Sequence, residues 1–356
     1  MAVYIYQRID WPRFTWNHER LSKRSTKVSH HQGRLLGRME SLDPRLQAEA
    51  ILRMLTLEVL YACELEDDPA QYAEVRTAVA RHLGIVIEDP APVGEAAERM
   101  VGMMLDATQH YKTPLTEERL YAWHRALFPK KGGAWRENLV IQPLQVVARQ
   151  TVRYQAPHSY MLKREMKTFL DWFATAENLD PLLAAGIAHL WFLTVQPFED
   201  GNGRIARTIT ALQLARADDS AQRFYSLSAQ LARERGAYHD MLEKTQSGSL
   251  DITEWLEWFL QCLDRTLTET ETLLNDIVER AKFWERTSGM SLNDRQKKML
   301  LHLLEEPGGK VTSSYWARHT RSSSDTAVRD INDLLQKGIL IKKPAGGRST
   351  SYTLLG

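Results

Sequence analysis

The chain has 356 residues, 43% of them hydrophobic and 26% charged, with a formal net charge of +1, so it reads as a globular protein too long for one typical core, with at least one appendage to a main domain. Its two cysteines, Cys63 and Cys262, lie in apolar surroundings without a CxxC or Cys/His cluster, which excludes a disulfide framework and a zinc site. No apolar run reaches membrane-spanning length and the opening "MAVYIYQRID" gains charge at once, so no membrane partner and no signal peptide are expected, and the cytoplasm is the default compartment.

Taken in chain order, "YIYQRIDWPRFTWN" gathers Tyr4, Tyr6, Trp11, Phe14 and Trp16 around Pro12 and predicts extended chain pinned by aromatic burial. Residues 43–66 have apolar residues at three- and four-residue spacing behind Asp43 and Pro44, the pattern of a helix with its start signal. Further helices fit 70–83, 92–110 and 115–127. The β-branched clusters, glycines and prolines of 132–157 predict a short β-hairpin. Helical texture returns at 158–176, and 180–195 is apolar on nearly every face, as in a helix buried on all sides. Another helix begins near Asn202 and runs to about 217, and two more fit 228–246 and 251–287. No repeat or low-complexity tract interrupts this mainly helical body.

The tail differs in charge. Residues 291–356 carry eleven Lys/Arg against six Asp/Glu, a surplus of five, which leaves the first 290 at minus four. A helix over 292–306 with Asn293 as N-cap, two helices in "TSSYWARHT" and "SSSDTAVRDINDLLQKGIL", and two strand-like pieces in "IKKPAGGRSTSYTLL" resemble a winged helix-turn-helix. That likeness would turn Ser323, Ser324, Thr326 and Arg329 toward a DNA major groove and Lys342, Lys343 and Arg348 toward phosphate. Winged helices also dock proteins and the charge surplus is modest, so both kinds of partner stay open.

The segment with the most chemistry is "TVQPFEDGNGRIART", 194–208. In a Gly-Asn-Gly turn entering a helix, missing Cβ atoms let backbone N–H groups converge where the helix dipole is positive, an anion nest. Arg204 and Arg207, three apart, can both face it with forked donors. Asp200 can hold a magnesium ion that shares the same oxygens, and Phe198 ties the loop to the core. The plainer alternative is a helix-loop-helix corner whose glycines only permit the turn and whose arginines pair with surface acids.

From Phe198 to Arg207 the segment resembles the signature of Fic-domain proteins, HxFx(D/E)GNGRxxR, with only the leading His absent. "GAWR" at 133–136, "AHLWF" at 188–192, "YSLSAQ" at 225–230 and "LDITEWLEWFLQCL" at 250–263 are similar to the same family, and "WPRFTWN" to a small domain that often precedes it. The resemblance implies three parts: an N-terminal Fic-associated region at 1–90, a Fic domain at 91–287 and the winged helix at 288–356. It implies transfer of AMP from ATP to a protein hydroxyl group. Asp200 would bind Mg2+, Gly201, Asn202 and Gly203 would form the anion hole, Arg204 would hold phosphates and Arg207 the γ-phosphate end. A target protein segment would lie on the 132–157 hairpin as on a flap by strand addition, and a homodimer is implied.

The signature His acts as general base, and its position holds Gln196. A carboxamide accepts a hydrogen bond but takes up no proton near neutral pH, so transfer should be crippled while ATP binding survives. His189 lies about 10 Å back along its helix and reads as a core histidine. Many Fic proteins also carry a self-inhibiting helix, (S/T)xxxE(G/N), whose Glu pairs with the second signature arginine. Here "ACELED" at 62–67 keeps only Glu66. That Glu is either a solvated helix end or, as the resemblance implies, inhibitory and paired with Arg207. Loss of the brake's pattern favours natural loss of activity over a laboratory substitution. An active transferase silenced at 196, or using a base supplied by its target, is the alternative, and a DNA-binding regulator with the Fic part as scaffold is a third.

Overall fold

The computed structural model describes residues 4–138, 141–143, 153–305, 311–343 and 350–355. The chain divides into two compact units, Met1–Asn275 and Asp276–Gly356, so the regions expected at 1–90 and 91–275 share one unit.

The first unit opens on an irregular segment. The rings of Tyr4 and Tyr6 pack on Tyr154, at 5.0 and 6.5 Å between centroids, and Trp11 and Phe14 pack on Trp191 at 5.9 and 5.5 Å. A 3-10 turn at Ile5–Gln7 interrupts what the sequence predicts as extended chain. Trp11 Nε1 donates to the buried Glu165 (2.8 Å), which satisfies both polar groups. Helix α1 (His18–Glu40) follows, capped by the Asn17 side chain on Arg20 N (2.9 Å); the sequence reading places no helix there. Its buried strip includes Ser25 and Gln32 among Leu21, Val28, Leu35 and Met39.

Helix α2 (Pro44–Glu64) starts where Asp43 and Pro44 predict, with the Asp43 carboxylate accepting from Arg45 N (2.8 Å). Next come α3 (Tyr72–Leu83), α4 (Glu95–Gln109) and α5 (Glu117–Leu127), then an antiparallel pair of β1 (Ile141–Pro143) with β2 (Arg153–Gln155), in register Ile141 to Gln155. Residues 144–152 of the expected hairpin lie outside the described residues. Helix α6 (Leu162–Thr175) leads to α7 (Pro181–Val195), in which every residue from Leu182 to Val195 is buried. It packs along α8 (Asn202–Asp218), and this pair forms the centre of the unit.

The single helix expected at 228–246 is two, α9 (Leu227–Arg233) and α10 (Arg235–Gln246). Between them Glu234 leaves helical geometry (φ −106°, ψ 24°), its carboxylate held by both Nε and Nη2 of Arg265 at 2.6 Å. Arg265 belongs to the long α11 (Thr253–Thr287).

In the second unit α12 (Asp294–Glu305), α13 (Ser313–Thr320) and α14 (Ser324–Gln336) precede an antiparallel pair of β3 (Leu340–Lys342) with β4 (Tyr352–Leu354). Trp316, Met299, Ile331 and Leu334 fill its core. Among the described residues no helix is long and apolar enough to cross a membrane.

Candidate functional site

Helix α7 stops because Gln196 takes a left-handed conformation, φ 45° and ψ 67°, one way a helix ends. Gln196 N donates to Phe192 O (2.9 Å), and the Gln196 carbonyl accepts from Arg136 Nε (2.7 Å). Arg136, only 3% exposed, also reaches the carbonyls of Val195 (3.3 Å) and Pro157, and its own N–H donates to Pro197 O (2.9 Å). One buried guanidinium thus satisfies carbonyls that the helix end would leave orphaned. Sequence reasoning had assigned "GAWR" no task; its arginine fixes the backbone at position 196.

Phe198 is fully buried, its ring stacked on His124 (4.0 Å, 23°) and tilted against Trp135 (5.0 Å). The Asn202 side chain clasps the loop: Phe198 N donates to its Oδ1 (3.0 Å) and its Nδ2 donates to Phe198 O (2.7 Å). What Asn202 can offer an anion is therefore its backbone N–H. Gly201 sits at φ 75°, and a Cβ there would come within 2.7 Å of the Phe128 ring. The exposed Asp200 accepts from Gly201 N (2.6 Å) beside a cavity of about 350 Å³ lined in part by His124, Trp135 and Glu199.

The two arginines at the start of α8 meet acids from the end of α2. Arg207 Nη2 donates to Glu66 Oε1 (2.7 Å) and to the carbonyl of Ala62 (2.8 Å), while Arg204 Nη1 donates to Asp68 Oδ2 (3.0 Å) and lies 5.3 Å over the Phe128 ring. Burial alone would raise the Glu66 carboxyl; the charge and hydrogen bond of Arg207 hold it below the usual carboxylate range. Glu66 Oε1 also lies 2.0 Å from where a Cβ on Gly203 would stand, so it covers that glycine. Asp67 adopts φ 55° and takes both Nη atoms of Arg235 at 2.8 Å. A residue in this conformation explains why the resembled pattern has Gly or Asn here, and Asp is among the few other residues that tolerate it.

These groups fit a polyphosphate. The Nε atoms of Arg204 and Arg207 are buried without a hydrogen-bond partner, donors that an anion between them could take up. Among the described residues no group of three or more His, Cys, Asp or Glu could hold a metal alone, which suits Mg2+ shared by one carboxylate and substrate phosphates. His189 is a core residue: its two ring nitrogens bond Thr210 Oγ1 and Tyr238 OH at 2.8 Å, and burial pushes its pKa down to about 3.

The basic candidates belong to the second unit. Ser323 is the N-cap of α14, accepting from Thr326 N (3.2 Å), and its hydroxyl also bonds that of Thr326 (2.9 Å). Both hydroxyls are thus engaged in capping. Arg329 and Lys342 are exposed and Lys343 is half-buried; Arg348 lies outside the described residues.

A buried helix, a left-handed stop and a glycine entry to a second helix that carries paired arginines are the frame of a Fic-type anion-binding fold. Residues 114–214 match the Fic/DOC family and residues 4–85 a domain of unknown function (DUF4172); the chain contains a Fic domain. A protein adenylyltransferase Fic of Nematostella vectensis is 30% identical over 108 residues, 30% of this chain and 23% of that protein. One of Drosophila sechellia is 23% identical over 327 residues, 83% of this chain and 62% of that protein. The chain thus spans less than two thirds of either relative's length. Among solved structures, a Fic family protein from Desulfovibrio desulfuricans G20 matches with a TM-score of 0.52 at 19% identity, covering 94% of this chain and 96% of that one. A Fic domain containing signaling protein from Bacteroides thetaiotaomicron VPI-5482 matches at 0.52 and 20% identity, over 71% of this chain and 97% of that one. The mainly helical fold is therefore that of Fic proteins, and it is adenylyltransferase-like.

Proposed function

We propose that this protein binds ATP with Mg2+ in the Gly201–Arg207 cradle and transfers AMP to protein hydroxyl groups poorly or not at all, because Gln196 stands where a base is required. The observation that carries this reading is Gln196 itself, 4% exposed at the left-handed stop of α7, directly before the loop. Arg204, Arg207 and the N–H groups entering α8 would hold the phosphates, and Asp200 would hold Mg2+, which neutralises phosphate charge when bound. A target segment would pair with the β1–β2 ribbon and present its hydroxyl. That hydroxyl must lose a proton as its oxygen attacks the α-phosphorus and pyrophosphate leaves. A positioned base contributes roughly 10²- to 10⁴-fold to such a step, and an amide supplies a hydrogen bond only. His189 cannot replace it, being enclosed and bonded at both nitrogens.

The test is labelled ATP added to cell lysate, with the unaltered chain beside Gln196→His. Strong labelling by the unaltered chain, equal to that of the variant, contradicts the proposal. A second reading has its own support in exposed Arg329 and Lys342 and the positive surplus of the tail: the second unit, as a winged helix, binds DNA. Gel-shift titrations at several salt concentrations test it, with an affinity that falls steeply with salt expected and absent or salt-insensitive binding against it.

A further inference from the structure

Three consecutive acids after α2 each hold a different arginine: Glu66 holds Arg207 (2.7 Å), Asp67 holds Arg235 (2.8 Å twice) and Asp68 holds Arg204 (3.0 Å). The Arg204 side chain is 10% exposed and its partner Asp68 71% exposed, so the arginine is a fixed part of the loop and the acid is the solvent-facing member of the pair. Arg204 follows directly on the Gly201–Gly203 entry, whereas Arg207 lies about 4.5 Å further along the α8 axis at 1.5 Å per residue. Any anionic group seated at the glycine entry therefore meets Arg204 whatever the length of the molecule behind it. A carboxylate and a phosphate compete for the same guanidinium donors.

From this placement we infer that Asp68 is a selectivity residue of the phosphate cradle: it occupies Arg204, so that nucleoside diphosphates and triphosphates alike enter only by displacing it. The inference rests on the cradle reading above. Glu66 acts at a different place, on Arg207 and over Gly203. The acidic turn thus closes the cradle at two points, and the one set by Asp68 is indifferent to whether a third phosphate is present.

The experiment is calorimetric titration of ADP and of ATP into the full chain and the variants Asp68→Asn, Asp67→Asn, Glu64→Gln, Glu66→Gln/Asp68→Asn and Arg204→Ala. Asp68→Asn is expected to tighten ADP and ATP by the same factor, about two- to fivefold, the size of one partly exposed ion pair. Glu64→Gln and Asp67→Asn remove the same charge nearby without freeing Arg204, and are expected to leave both affinities unchanged. Equal tightening by those controls, or none in Asp68→Asn while Arg204→Ala loses binding, overturns the role of Asp68 alone. Binding unaffected by Arg204→Ala, or no binding in any variant including Glu66→Gln/Asp68→Asn, overturns the cradle reading and this inference with it.

Discussion

The two sides of the candidate site depart from the pattern they resemble in opposite ways. On the loop side every residue from Phe198 to Arg207 fits and one position before it, Gln196, changes chemistry. On the acidic side, Ala62 and Asp67 depart in letter, yet the turn keeps its shape: Ala62 contributes a carbonyl to Arg207 and Asp67 holds the left-handed backbone at φ 55°. A position chosen for backbone conformation accepts several residues, whereas a position chosen for taking a proton accepts few. Departure from a pattern therefore weighs differently according to what the pattern's residue does there, and the closed turn does not read as a brake that has decayed.

That contrast can be tested by pressing on each side. The largest effect is expected at Gln196→His, a gain of roughly 10²- to 10⁴-fold in AMP transfer measured with labelled ATP; no gain would mean that the loop side has lost more than its base. Next is Phe198→Ala, which empties a fully buried aromatic site and should cost about 3–5 kcal/mol of unfolding free energy in urea titrations, with nucleotide binding lost as the loop comes away from His124 and Trp135.

Smaller is the effect of acid on the Glu66–Arg207 pair. Because the folded-state Glu66 pKa is depressed, its stabilisation is fully present above the ordinary glutamate value and is lost as pH falls through the folded value. Unfolding curves of the unaltered chain and Glu66→Gln should therefore differ at neutral pH and converge in acid below the usual carboxylate range; divergence that grows on acidification contradicts the pairing. The smallest change is expected at Asp67. Asp67→Asn should leave the melting temperature unmoved, since Asn tolerates the same backbone, while Asp67→Val should lower it, because a β-branched residue resists positive φ. Equal melting of the two variants would remove conformation as the reason for the family's Gly or Asn.

Much of the frame was legible in the chain. The all-apolar run at 180–195 and the Asp43–Pro44 start are strong local signals, and both elements begin and end within a few residues of expectation. Helix α1 was missed because its buried strip mixes Ser25 and Gln32 with apolar residues in a highly polar sequence, so periodicity is diluted. The break at Glu234 depends on Arg265, thirty-one positions away, which no local pattern reveals. At the site, residue types were readable but not their engagements. Arg204 and Arg207 were expected to face an open nest, and both instead hold acids. The run "ELEDD" was the available signal, and only its Glu66 was singled out. Arg136, the buried support of the loop, lay in a stretch noted for likeness alone.

The backbone at position 196 is held by Phe192 from one side and by Arg136 from the other, contacts made entirely by main-chain atoms of residue 196. Nothing in that grip reads the side chain, so the direction in which it projects is set before its identity matters. Glutamine and histidine codons differ in a single base. On such a scaffold a silent protein and an acting one are neighbours in mutational space, and the intervening step requires no remodelling of the fold.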